Sequence, residues 1–304
     1  MIRRDFLKSI LAAALPADTK QDFGYCPSSP PIDMKTFQEQ FPNAHDGKGE
    51  VSLLHPYLEK VLAVQSLPSA RQTGPDCVSQ ASSLAASVVA AIQVALRNQR
   101  WNGRIASEWL HFGGRCHVGK SWGISGGTHI INTCEFMRDY GCLFRKKYNK
   151  IDFTNYRFGK SDLGKLENWP ELMAQAKTHK VGTLTKVTNW EEARAALKNL
   201  SPVILGSRLG FNHAKRDKHG FAEPEGTWYH AWMLLGFDDR FPRPGALLMN
   251  SHGDTWVKGP RRHNQPKGSI WIRPEVLDRM LGSYPDAYAL SDYVGTKPFN
   301  PKLY

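Results

Sequence analysis

The sequence predicts an α+β fold in which a helical half precedes a twisted antiparallel β half, with a cleft between them. An apolar helical run begins at Cys77 and extends to about residue 100, and residues 104–142 continue the helical pattern. From about residue 181, short β-branched and aromatic runs broken by Gly and Pro predict antiparallel strands. With 304 residues, 41% of them hydrophobic, the chain is long enough for one substantial core. We therefore expect one main domain over residues 55–282.

The two ends of the chain are expected to lie outside that domain. Residues 1–17 contain Arg3-Arg4 followed by small apolar residues, which resembles a twin-arginine export signal and predicts a periplasmic or extracellular protein. The alternative is a retained basic helix on a cytoplasmic or particle-associated protein. Residues 18–54, rich in Pro and Gly, predict a linker or short pro-segment, and residues 283–304 predict a C-terminal tail. No apolar stretch is long enough to indicate a transmembrane segment.

Three separate stretches supply a thiol, an imidazole and an amide. Cys77 opens the long helical run, where the exposed N–H groups of a helix N-terminus would stabilise a thiolate. His230 is the polar residue of a predicted buried strand, and Asn250 follows the apolar run that ends at Met249. A thiol attacks a carbonyl well when a base takes its proton and a third group orients that base. These three residue types fit those roles.

The order Cys, His, Asn and the surrounding segments resemble the papain-like cysteine peptidases over roughly residues 70–280. The Cys segment runs Gly74-Pro75-Asp76-Cys77, and the Asn segment runs Asn250-Ser251-His252. Six further segments resemble family segments in the family order: Ala106–Glu108, Ser125–His129, Glu135–Gly141, Asn189–Ala193, Leu200–Ile204 and Gly268–Arg273.

The resemblance implies a cysteine-type peptidase that hydrolyses polypeptides through a thioester and needs no cofactor or metal. Cys77 is then the nucleophile, His230 its base and Asn250 the residue that orients His230. Gln72 is the family's oxyanion-hole glutamine, acting with the Cys77 backbone N–H. Gly126 and Gly127 would form a backbone edge that hydrogen-bonds an extended substrate. The alternatives are a papain-like fold kept as a binding or particle-structural module without turnover, and an amide hydrolase that acts on cell-wall peptide.

Several positions differ from the family pattern. Gly74 replaces the second Cys and Val78 replaces the aromatic after the nucleophile. His252 stands where the family has the tryptophan that shields the His and Asn pair. His230 lies 153 residues after Cys77, more than the family's roughly 130–150, which predicts a surface insertion, with residues 212–225 as the main candidate. Gln72 stands five residues before Cys77, one fewer than usual.

Charge and cysteine content bound the partners. The net charge of +12 favours an acidic partner or surface, although no nucleic-acid motif accompanies it. Beside Cys77 the chain has four further cysteines, which predict two disulfides in an oxidising compartment or buried thiols in a reducing one. A zinc site formed by Cys116, His117, His129 and Cys134 does not match a standard ligand spacing.

Overall fold

The computed structural model describes residues 21–97, 99–121, 126–149, 151–158, 169–211, 214–282 and 285–293. The predicted export signal at residues 1–17 lies outside these residues, as do residues 294–304 of the predicted tail. The described part contains both predicted halves.

A long buried helix organises the helical half. This helix, α3, spans Cys77–Arg97, and most of its side chains are buried. Two of its serines bond a neighbouring loop inside the core: Ser83 Oγ donates to the Ile105 carbonyl and Ser87 Oγ accepts from the Ile105 N–H. Small side chains therefore let neighbouring elements approach α3 closely. The other elements of this half are α1 (Phe37–Gln40), α2 (His55–Leu62), α4 (Ser107–Phe112), a π-helical turn (Gly113–Val118) and α5 (Ile130–Asp139).

A twisted sheet forms the second half, as predicted. Its principal strands are β5 (Val181–Lys186), β6 (Val203–Leu209), β7 (Thr227–Asp238), β8 (Gly245–Met249), β9 (Ser269–Ile272) and β10 (Ala287–Tyr293). They pair antiparallel in the order β5-β10-β6-β7-β8-β9. In β7 nearly every residue is buried, and the register sets Ser207 opposite His230 and Met249 opposite Met233.

Short elements complete the described structure. A two-stranded ribbon pairs β3 (Lys147–Tyr148) with β4 (Ile151–Asp152). The remaining helices are α6 (Trp169–Ala176), a 3₁₀ turn (Lys177–His179), α7 (Trp190–Lys198) and α8 (Pro274–Leu281).

Both ends of the predicted domain need correction. The linker interpretation of residues 18–54 is wrong for most of their length, because β1 (Gln21–Asp22) pairs parallel with β7 and β2 (Val51–Leu53) pairs antiparallel with it. Phe37 and Leu54 are buried in the core. The prediction of a C-terminal tail is also wrong for Ala287–Tyr293, because these residues form β10 between β5 and β6, and Tyr288 is fully buried. Hydrogen bonding along the sheet, which has no short sequence signature, recruits these segments.

Within the described part of the chain, one helix, α3, has the length and apolar composition of a membrane span. Most of that helix is buried inside the fold, which is the behaviour of a core helix.

Candidate active site

Cys77 is the first residue of α3, so its backbone N–H belongs to the unsatisfied N-terminal turn of that helix. The helix begins with a bond from Gln80 N to the Asp76 carbonyl, 3.0 Å long. The Cys77 N–H donates to the carbonyl oxygen of Phe23, at 3.3 Å. Cys77 is fully buried. The thiol thus stands at a helix N-terminus, as predicted, with a segment of the same chain directly against it.

His230 and Asn250 form a hydrogen-bonded pair. His230 Nε2 and Asn250 Oδ1 are 2.8 Å apart. The N–H of Ser251 donates to the same Oδ1 at 2.6 Å, so this atom must be the amide oxygen and His230 Nε2 must carry the proton. That tautomer leaves Nδ1 as the basic nitrogen. Nδ1 is buried and hydrogen-bonds no residue in the described part of the chain.

Aromatic rings enclose His230. Phe23 lies against it with ring centroids 5.0 Å apart, and His252 stacks on it at 4.8 Å. Trp228 contacts both histidines. Burial, and then the neighbouring His252, hold the pKa of His230 well below its usual range, against the raising effect of the Asn250 hydrogen bond. Burial also lowers the pKa of His252 to about 4. Both imidazoles are therefore neutral while the site is covered.

Gln72 lies beside Cys77 despite the shortened spacing. Its Nε2 donates to the Phe23 carbonyl oxygen at 3.0 Å, the oxygen that also accepts from the Cys77 N–H. Its Oε1 accepts from Ser251 Oγ at 2.6 Å, which fixes the amide so that nitrogen faces the carbonyl. Two donors from different elements thus converge on one oxygen. Gln80, by contrast, is turned to the Asp76 carboxylate at 2.9 Å.

The covering segment, residues 21–26, crosses the site with a bend at Phe23 and Gly24. Residues Gln21 and Asp22 pair parallel with Trp228 and Tyr229 of β7. Beyond Phe23, the Gly24 carbonyl accepts from Thr128 N at 3.0 Å, and Cys26 N donates to the Thr128 carbonyl at 3.1 Å. The segment therefore passes from the histidine strand to the loop before α5, with the Phe23 carbonyl at the crossing point.

Gly126 and Gly127 lie at that loop. A Cβ added to Gly127 would stand 2.3 Å from the Gly24 carbonyl oxygen, so the close approach needs glycine. The hydrogen bonds of this edge come from Thr128, one residue beyond the predicted pair. The Arg115 guanidinium donates to the Gly127 carbonyl and so holds this loop to the π-helical turn.

Two contributors escaped the sequence interpretation. Phe23 lies in a stretch without periodicity, and nothing local indicates that its carbonyl reaches the thiol. Asp76, directly before Cys77, is 1% exposed and bonds Gln80 and the Tyr156 hydroxyl. Burial raises its pKa to about 6, against those hydrogen bonds. Its position next to Cys77 was a signal available in the sequence.

The described residues contain no group of three or more His, Cys, Asp or Glu side chains arranged to hold a metal ion. Cys134 is fully buried, and burial raises the pKa of its thiol well above the usual range.

Comparison with solved structures finds the same architecture in cysteine proteases. Xylellain, a cysteine protease from Xylella fastidiosa, matches with a TM-score of 0.60 at 15% identity, over 90% of this chain and 96% of its own. The digestive procathepsin L2 proteinase from Tenebrio molitor larval midgut gives 0.54 at 14%, over 90% and 79%. Digestive procathepsin L 3 from the same source gives 0.53 at 13%, over 89% and 77%.

No protein-family model and no curated protein sequence matches this chain. Identities of 13–15% carry information on architecture alone. The chain has the α+β fold of the papain-like cysteine proteases.

Proposed function

We propose that this protein is a papain-like cysteine peptidase held latent by its own segment, residues 21–26. The observation that carries the proposal is the convergence of the Cys77 N–H and Gln72 Nε2 on one carbonyl oxygen of Phe23. Two donors aimed at a carbonyl beside a thiol form the arrangement that stabilises an oxyanion in acyl transfer. The His230 and Asn250 pair adds a base in a fixed tautomer.

The proposed reaction starts when a substrate carbonyl replaces that of Phe23. Cys77 Sγ gives its proton to His230 Nδ1 and attacks the carbonyl carbon, forming the C–S bond while the C=O pair moves onto oxygen. Gln72 and the Cys77 N–H hold the oxyanion. The intermediate collapses with cleavage of the C–N bond, and His230 gives its proton to the leaving amine. Water, deprotonated by His230, then cleaves the thioester to release the acid and restore the thiol.

The direction of the segment explains why it covers the site without being a substrate. Because His230 must protonate the leaving amine, the amine side of a substrate lies towards β7 and the acyl side towards Thr128. In the segment, the residues that precede the Phe23 carbonyl lie along β7 and those that follow it lie along Thr128. The nitrogen of Gly24 is thus on the side away from the proton donor. The segment runs opposite to a productive substrate and blocks the site.

Gly24 offers a selective way to release the segment. It has φ +102°, and a Cβ there would stand 1.9 Å from the Pro75 carbonyl oxygen. Gly24→Ala therefore clashes with backbone where the segment enters the site, at a cost of about 1–3 kcal/mol, which is ~5–150-fold in the open fraction. Gly49→Ala is the matched control, because Gly49 has φ +72° and open space around its Cβ position.

The test compares the wild type, Gly24→Ala, Gly49→Ala and Gly24→Ala/Cys77→Ala as full chains. Turnover is measured on a fluorogenic peptide library, and Cys77 alkylation by iodoacetamide at about pH 6 is followed by mass spectrometry. We expect Gly24→Ala to raise both rates by about tenfold or more over the wild type and Gly49→Ala, and Cys77→Ala to abolish turnover. A folded Gly24→Ala protein that cleaves no peptide, with a Cys77 no more reactive than an ordinary thiol, would contradict the proposal and favour a binding module.

A further inference from the structure

A second feature of the covering segment is the side chain of Tyr25, which fills a pocket next to the site. Its ring packs closely against the backbone of β6 at Gly206, because a Cβ added there would stand 2.3 Å from two ring carbons. Its hydroxyl donates to Asp286 Oδ2 at 2.8 Å. A cavity of about 690 Å³ adjoins the ring between residues 206–209 of β6 and residues 279–282. A shaped recess with a carboxyl group at its end therefore lies behind this strand.

Asp286 accepts hydrogen bonds from Tyr25 of the covering segment and from Ser28, two residues beyond its end. It is 2% exposed, and burial raises its pKa. Besides Tyr25, its oxygens accept from Ser28 N at 3.0 Å and Ser28 Oγ at 3.1 Å. From its own part of the chain, the Tyr288 hydroxyl lies beside the carboxyl, and the Asp286 carbonyl accepts from Gly206 N at 2.9 Å. When the segment leaves, the buried carboxyl of Asp286 loses the Tyr25 donor, and Oδ2 needs a replacement.

The pocket lies on the acyl side of the scissile bond. The Phe23 carbonyl marks the reacting position, Gly24 follows it towards Thr128, and Tyr25 is the second residue on that side. A substrate of opposite chain direction would therefore present the side chain of its second acyl-side residue to the same recess.

We propose that this pocket selects tyrosine at the second acyl-side residue of the substrate, with Asp286 accepting the phenol hydrogen bond. The inference rests on the proposed peptidase function. Phenylalanine would fill the same recess but would leave Asp286 Oδ2 without the phenol donor, and buried polar atoms that lose a partner give strong discrimination. Arginine or lysine would supply donors, but Arg208 and Arg279 already line the cavity and oppose a further cation. Tyrosine fits the recess, donates to Asp286 and adds no positive charge beside the two arginines.

The test uses full-length Gly24→Ala/Tyr25→Ala, which releases the segment and vacates the pocket. Peptidyl vinyl sulfones carry Tyr, Phe or Arg at the second residue before the electrophile, and a fourth probe carries Tyr at the first residue instead. Thiol addition forms a C–S bond at the vinyl carbon with protonation of the adjacent carbon, so mass spectrometry reports the labelling rate of Cys77. We expect the second-residue Tyr probe to label about 10–100-fold faster than the other three.

Two pocket variants test the cause. Asp286→Leu should slow the Tyr probe to the rate of the Phe probe, and Gly206→Ala, which keeps Asp286, should slow both aromatic probes. Thermal melting identifies any variant that fails to fold, and either variant alone is sufficient for the comparison.

The outcomes separate the two proposals. Equal Tyr and Phe rates, or a faster Arg probe, with Cys77 labelled in each case, would overturn the tyrosine pocket and leave the peptidase proposal standing. Absence of labelling by every peptide probe, in a protein whose Cys77 also resists iodoacetamide, would overturn the peptidase proposal together with the pocket.

Discussion

A titratable side chain is buried near each end of strand β7, and the two side chains differ in their hydrogen-bond partners. Asp238, at the C-terminal end, accepts hydrogen bonds from Arg240, Arg262 and His263. Burial alone would raise the pKa of Asp238, but these hydrogen bonds and the Arg262 charge bring it to about 2. His230, near the other end, has one side-chain hydrogen bond, to Asn250, and a pKa lowered by burial.

The two side chains differ in how fully their polar atoms are hydrogen-bonded. Every interaction of Asp238 stabilises its ionised form, so the carboxylate anchors the loop that follows β8. His230 keeps a basic nitrogen, Nδ1, without a hydrogen bond among the described residues. An unsatisfied buried nitrogen lowers stability, and proteins retain such groups where chemistry uses them. The comparison therefore predicts a stabilising role for Asp238 and, under the proposed function, a reactive role for His230, and each prediction can be tested by substitution.

The largest expected effect comes from exchanging both residues for asparagine in the Gly24→Ala background. His230→Asn should lower turnover by about 10³-fold or more, because the base is lost, while the melting temperature changes little. Asp238→Asn should lower the free energy of unfolding by about 2 kcal/mol and leave turnover per folded molecule unchanged. We expect less than the ~3–5 kcal/mol typical of a broken buried pair, because Arg240 is largely solvated.

Urea unfolding and active-site-normalised kinetics, measured on the same preparations, check both assignments. Loss of turnover in a fully folded Asp238→Asn protein would contradict the stabilising role of Asp238. Unfolding of the His230→Asn protein, with turnover that an added base such as imidazole does not restore, would contradict the reactive role of His230.

The next effect concerns the two glutamines on either side of Cys77. Gln72→Ala should lower kcat by about 10²–10³ with little change in KM, because its hydrogen bond strengthens as charge develops on the substrate oxygen. Gln80→Ala is the matched control, since its amide serves Asp76 and faces away from that oxygen. Steady-state kinetics in the Gly24→Ala background measure both variants. Equal losses for both would show that the amide of Gln72 has no special place in the reaction.

The sequence predicted the fold class and the local positions of Cys77, His230 and Asn250 on their elements, because these depend on local patterns. The helix at Cys77, the buried strand at His230 and the strand end at Asn250 each carry their own periodicity, and the family order joins them. The roles of these residues stay predictions until kinetics test them.

The missed features depend on contacts between distant segments. Phe23 contacts Cys77 across more than fifty residues of chain, and Tyr25 contacts Asp286, which lies 261 residues later in the sequence. Strand β10 lies between β5 and β6, and its side chains are mostly buried on both faces of the sheet. Its sequence therefore lacks the alternation of polar and apolar residues that would have indicated a strand. Pairings of this kind follow from the assembled sheet, and no short window of sequence contains them.

The smallest expected effect concerns Asp76, a third buried group that lies between the two extremes. It has two side-chain hydrogen bonds through Oδ2, while Oδ1 is buried without a hydrogen bond among the described residues. Incomplete pairing lets burial dominate and raises its pKa from 3.8 to about 6. The native state thus holds a proton up to about pH 6 that the unfolded chain loses near pH 4. Wild-type stability from this group is present below pH 4 and is lost as the pH rises through 6.

Asp76→Asn removes this titration while keeping the size of the side chain. The free energy of unfolding of the variant, minus that of the wild type, should therefore rise between pH 4 and pH 7.5, by about 3 kcal/mol at most. Urea unfolding at four or five pH values measures the difference. Asp278 and Asp286, whose pKa values are also raised, titrate in both proteins and cancel in the subtraction. A difference that is constant across this range would show that Asp76 is ionised in the native state, and partial pairing would then suffice to hold a buried charge beside the nucleophile.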